Sequence, residues 1–158
     1  GEGRGHFPRS RAPHAGPPRG GRGRDPTGPP REEGPPLILV DSSGWIEYLA
    51  NRPLAARFAH YLEGREPLLV SAIEIYEVYK VIRRDLSEDR ALEAVSALRR
   101  ATIIPVDTSL ALEAADISLE LGLAMADSIV YATARRYSAR LVTADADFEG
   151  LPEAIVVR

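Results

Sequence analysis

The chain has 158 residues, 44% of them apolar, with no cysteine, three histidines and a net charge of −3. That length holds about one ordinary domain, and the absence of cysteine excludes disulfides, thiolate nucleophiles and zinc–thiolate sites. His6, His14 and His60 are too scattered to build a His-based triad or a His-rich metal site, so chemistry falls to carboxylates and hydroxyls.

Residues 1–36 differ from the rest. They hold nine of the 13 glycines and nine of the 13 prolines, with seven arginines against four acids. A stretch so poor in large apolar side chains buries too little surface to offset chain entropy, and is expected to be a disordered tail. With Phe7 as its one aromatic residue it makes a poor nucleic-acid arm, and it lacks the apolar core of a secretory signal. Residues 37–158 carry the remaining 13 basic and 19 acidic side chains, a net −6. No apolar run there approaches a membrane span, and the missing cysteines fit the cytoplasm.

The ordered part opens on the strand Leu37–Val40, a continuous apolar run ending at Asp41. Helical spacing of Trp45, Ile46 and Leu49 follows over 42–50, and Pro53 suits the first position of a second helix reaching Gly64. Leu68–Val70 is the second strand, 72–85 an apolar helix, and Ser87 starts a helix that ends near Arg100. Thr102–Ile104 is the third strand, 109–121 a helix stopped by Gly122, 127–137 the next helix, and Arg140–Thr143 the fourth strand. A short turn at 145–148 leads to the fifth strand over 154–157. Strands alternating with helices predict a three-layer α/β/α domain with a central parallel sheet of about five strands.

In such a sheet the ligand site lies beyond the carboxyl ends of the strands. Asp41 follows the first strand, Ser71 the second, and Thr143 and Asp145 the fourth. Asp127 opens the helix before the fourth strand. Each acid has a plain structural use. Asp41 and Asp127 suit helix caps, Asp145 and Asp147 suit a turn, and Glu77 has a lysine, Lys80, three residues on. Taken together they crowd negative charge at one edge, which calls for a divalent cation. An all-oxygen donor set points to Mg²⁺ or Mn²⁺, and such an ion suits phosphodiester hydrolysis. On the third helix Glu74 rivals Glu77, while Tyr76 and Tyr79 are expected to pack in the core or to meet a partner.

The stretches VDSSGWIEYL, SAIEIYEV, ADSIVYATA and LVTADADF, in this order, resemble the PIN domain, most closely VapC-like toxins of toxin–antitoxin pairs. The resemblance covers about residues 37–158. It implies a Mg²⁺- or Mn²⁺-dependent endoribonuclease whose catalytic and metal-binding acids fall on Asp41, Glu77, Asp127 and Asp145. The spacing from Ser71 selects Glu77 over Glu74; Ser42 and Thr143 fall on supporting hydroxyl positions, and Asp147 on an extra contact. Asp127 is then cap and ligand at once. The resemblance also implies an RNA substrate, a cognate antitoxin and a homodimer. Arg83, Arg84, Arg135, Arg136 and Arg140 are candidates for a basic rim. The rival functions are a catalytically silent binding module and a receiver- or phosphatase-like phosphate handler. The latter is disfavoured by Ser43 where the phosphatase needs an acid, and by a last strand without lysine.

Overall fold

Residues 34–158 are described by the structure, a computed structural model; for positions 1–33 the expected disordered tail lies outside the described residues. The elements run β1 (Ile38–Val40), α1 (Ser42–Leu49), α2 (Ala55–Leu62), β2 (Leu68–Ser71), α3 (Ala72–Asp85), α4 (Glu88–Leu98), β3 (Thr102–Ile104), α5 (Thr108–Leu121), α6 (Met125–Arg136), β4 (Arg140–Thr143), a single 3-10 turn (Ala146–Phe148) and β5 (Ala154–Val156). The five strands form one sheet in the order β3-β2-β1-β4-β5, and every neighbouring pair is parallel.

Alternation along the strands explains the three layers, because successive side chains of a strand face opposite ways. Ile38, Val40, Val70 and Val142 join Trp45, Phe58, Val78, Ile82 and Leu98 from the helices on one side. Leu39, Leu69 and Leu141 join Leu110, Ile117, Val130 and Phe148 on the other. Helices α1 to α4 thus cover one face and α5 and α6 the other. Both faces are buried, as continuous apolar strands require.

Chain entry from β1 goes to β2 on one side, and the chain later returns to β4 on the other. The order therefore reverses at β1, which makes the β1/β4 crevice the topological switch point where open sheets bind ligands. Asp41 sits directly at this point: its N–H donates to the carbonyl of Val142 at 2.9 Å.

Three helix starts differ from expectation. Pro53 lies in a turn and α2 begins at Ala55, because the carboxylate of Glu47 on α1 accepts from the Leu54 N–H at 2.9 Å and caps the helix from outside its own segment. α5 begins at Thr108, one residue early, with Asp107 accepting from the Leu110 N–H at 2.7 Å. α6 begins at Met125, with Ala124 at its cap and no side-chain cap bond. Asp127 therefore stands inside the first turn and does not cap. The Ser87 start of α4 holds, its hydroxyl accepting from the Arg90 N–H, and Gly122 ends α5 at φ 72°, a left-handed conformation that glycine adopts freely.

One close approach fixes α1 against β1. A Cβ on Gly44 would lie 2.4 Å from a ring carbon of Phe58 and 2.6 Å from a methyl of Val40. Glycine here lets the helix start lie flat on the strand that carries Asp41. Among the described residues no single helix is long and apolar enough to cross a membrane.

Candidate active site

Asp41 follows β1 at the cap position of α1, yet its side chain makes no cap bond. It is buried, at 3% exposure, so its carboxylate must find donors. Ser43 Oγ donates to Oδ2 at 2.7 Å and Thr143 Oγ1 donates to the same oxygen at 2.9 Å. The two hydroxyls are 3.2 Å apart, and Ser43 Oγ also accepts from the Ala144 N–H at 3.0 Å. Thr143 Oγ1 in turn accepts from the Asp145 N–H at 2.9 Å. One small network thus ties the end of β1 to the end of β4 and fixes Asp41 and Asp145 relative to each other.

Ser43 is a side chain that sequence reasoning missed; Ser42, the expected one, acts instead on Glu77, whose carboxyl its hydroxyl pulls down. Ser42 Oγ stands 3.5 Å from Asp41 Oδ1, at the limit of a hydrogen bond. The signal was available in the pair of serines after a strand-terminal acid.

Among the described residues, Asp127, Asp145 and Asp147 form one acidic group: one carboxylate oxygen from each lies within 4.8 Å of the others. Asp145 also accepts from the Asp147 N–H at 2.9 Å, which folds the 3-10 turn back toward β4. Its expected turn role and its place in the cluster are therefore compatible. Asp147, expected as an extra contact, stands in this group as closely as the others.

The electrostatics extend the group to five acids. Burial foremost, and then the charges of Asp41, Asp145, Glu77 and Asp147, push the Asp127 carboxyl up to about 6. Burial also raises Glu77; the Ser42 hydroxyl pulls it back, Asp41 pushes it further up, and Lys80 opposes. Lys80 forms no ion pair with Glu77 among the described residues: its ammonium lies over the Tyr76 ring, 4.8 Å from the centroid. None of the five acids belongs to an ion pair among the described residues; those pairs lie elsewhere, at Asp85, Glu88, Glu93, Asp107, Glu113 and Glu149.

Glu74 lies apart in role. It is fully buried, one oxygen accepts from the Ser71 N–H at 2.6 Å, and its other oxygen has no partner. This bond caps the start of α3; Glu77, and not Glu74, is among the charges that act on Asp127. Burial, followed by the charge of Asp41, holds the Glu74 carboxyl well above the usual range.

The expected basic rim is largely spent on local pairs. Arg83 meets Glu88, Arg84 meets Asp85, and Arg136 bridges Asp107 and Glu113, while Arg135 lies over the ring of Tyr131. Tyr79 packs at the edge of the core, but Tyr76 is 60% exposed and does not take the core position expected of it.

A site of this composition fits a hard divalent cation. All donors are oxygens, charges repel without an internal cation, and Asp41 is fixed from behind by hydroxyls that leave its remaining lone pairs free.

A family model described as PIN domain matches residues 38–154. No curated protein sequence matches the chain. Among solved structures, a toxin–antitoxin complex from Klebsiella pneumoniae is 26% identical, with a TM-score of 0.63 over 75% of this chain and 96% of that one. The sarcin–ricin-loop-cleaving toxin VapC20 of Mycobacterium tuberculosis is 19% identical, with a TM-score of 0.65 over 77% and 98%. DNA-bound VapBC from Salmonella typhimurium is 21% identical, with a TM-score of 0.60 over 78% and 97%. The last two are likenesses of fold.

Proposed function

The chain belongs to the PIN-domain family, and from that premise we propose that it is a divalent-metal-dependent endoribonuclease, the toxin of a type II toxin–antitoxin pair. The observation that carries this reading is the convergence of four acids, Asp41, Glu77, Asp145 and Asp147, on a fifth, Asp127, at the switch point of the sheet. Asp41, Glu77, Asp127 and Asp145 are the residues proposed to hold Mg²⁺ or Mn²⁺, with Asp147 beside them. A cation bound there supplies Lewis acidity toward phosphoryl oxygens and lowers the pKa of a coordinated water.

The chain's own residues prepare this. Ser43 and Thr143 hold the Asp41 carboxylate in one orientation, and the Thr143 hydroxyl anchors the backbone of Asp145. Asp127, with its carboxyl near 6, keeps a proton at mildly acidic pH, and cation binding must displace that proton. The α6 N-terminus behind Asp127 adds positive potential, which suits an incoming phosphate. RNA is the proposed substrate. A cognate antitoxin is the proposed partner, by likeness to the Klebsiella pneumoniae toxin–antitoxin complex; homodimer formation and a cytoplasmic location complete the proposal.

The test is cleavage of a mixed RNA pool by the purified chain in Mg²⁺, Mn²⁺ or EDTA, beside an Asp145→Asn variant. Cuts that vanish in EDTA and in the variant support the reading. A folded chain that makes no metal-dependent cuts would sink it and leave a silent binding module.

A further inference from the structure

A net −6 domain with five clustered acids is poorly made for a polyanion. Affinity for nucleic acid rests on Lys and Arg contacts and, for single strands, on aromatic platforms for the bases. Three of the five rim candidates, Arg83, Arg84 and Arg136, are paired with acids. Lys80, the single lysine of the chain, belongs to no ion pair among the described residues.

Its surroundings on α3 are specific. Tyr76 precedes Glu77 and is 60% exposed, a large aromatic surface left in solvent beside the acidic cleft. Helical geometry at about 100° per residue places Lys80 between the directions of Tyr76 and Glu77, about 6 Å further along the axis. Lys80 Nζ is 4.8 Å from the Tyr76 ring centroid, so cation and ring form one preorganised unit.

Resting on the nuclease reading, we propose that Tyr76 and Lys80 are an RNA-positioning platform at the rim of the site. The Tyr76 ring stacks on a base of single-stranded RNA next to the scissile phosphate, and Lys80 holds a neighbouring phosphate. An exposed aromatic face with a cation against it matches the base and the phosphate of single-stranded RNA. By helical direction the cation lies on the side of the ring that faces Glu77. Tyr76 belongs to neither core cluster, so its ring is open to a ligand.

The experiment uses the full chain carrying Asp127→Asn, in Mg²⁺, with a short fluorescein-labelled single-stranded RNA of mixed sequence read by anisotropy. Adding Tyr76→Ala should weaken binding about tenfold, within the range for one stacked base, while Tyr76→Phe should bind like the parent. Adding Lys80→Gln should weaken binding and flatten its dependence on log salt by about 0.7. Thermal midpoints of the Tyr76 variants should stay unchanged, since the ring is exposed. Parent-like affinity in Tyr76→Ala, or equal damage from Tyr76→Phe, overturns the proposal; so does no RNA binding by the parent. Unchanged RNA affinity alongside lost affinity for a purified protein partner overturns it too and assigns the face to that partner. Cleavage of the same RNA by the unsubstituted chain reports on the nuclease reading separately. If the chain does not cleave but Tyr76→Ala still weakens binding, Tyr76 and Lys80 stand as an RNA-binding pair, while the nuclease reading and the positioning role that rests on it fail.

Discussion

Asp127→Asn should make the metal-free protein more stable at neutral pH, although it damages the site. A carboxyl pushed from its ordinary value near 3.8 up to about 6 resists ionisation, by about 3 kcal/mol at 1.36 kcal/mol per pH unit. The side chain is only half-buried, so solvent screening cuts this to roughly 1–2 kcal/mol. Loss of a negative charge from the first turn of α6 returns about 0.5 kcal/mol of that. The sign with pH follows from linkage. The folded state binds the proton more tightly than the unfolded chain, so stability is highest below about pH 4 as far as this group is concerned. It falls as pH rises through about 6, then stays level. The assay is urea unfolding in EDTA at pH 5 and pH 7.5, for both proteins. Asn should raise the midpoint at pH 7.5 and narrow the difference between the two pH values. Saturating Mn²⁺ should reverse the order, because at about 100 times Kd a ligand adds about 2.7 kcal/mol to the wild type. A wild type more stable than Asp127→Asn in EDTA at pH 7.5 would refute the reasoning.

Ser43→Ala removes a donor to the buried Asp41 carboxylate and the acceptor of the Ala144 N–H; it should cost about 1–3 kcal/mol, read by urea unfolding, and lower RNA cleavage at least tenfold. Gly44→Ala drives a methyl into Phe58 and Val40 and should cost about 1–3 kcal/mol, seen as a lower thermal midpoint. Glu74→Gln keeps an amide oxygen for the Ser71 N–H but leaves its NH₂ where Oε1 has no partner. The relieved ionisation and the unpaired donor oppose each other, so the test is the pH dependence of stability, read by urea unfolding at pH 5 and pH 8. The pH sign is the same as for Asp127. Glu74 is raised in the fold, so wild-type stability falls as pH climbs above the ordinary glutamate value, and the Gln variant should flatten that fall.

The layer plan was legible because apolar strands and capped helices are local patterns. Each expected strand agrees with the observed one to within a residue at either end. The errors arose where a distant group acts. The start of α2 is capped by Glu47 from the preceding helix, so local reasoning chose Pro53. α6 starts early without any side-chain cap, so an acid near its N-terminus was read as one. Asp41, Asp127 and Asp145 stood out as carboxylates at strand and helix ends. Ser43 did not, because its use depends on Thr143, a hundred residues on. The work of Glu74 was likewise hidden by its full burial, which spacing along α3 does not reveal.

The central claim is that these acids assemble a divalent cation site. Its most direct measurement is a Mn²⁺ titration followed by the electron paramagnetic resonance signal of the free ion. Wild type at pH 7.5 should deplete that signal stoichiometrically, with Asp127→Asn and Asp145→Asn each binding at least tenfold more weakly. Folded wild type that leaves the signal unchanged, or variants that bind as well as wild type, would contradict the account.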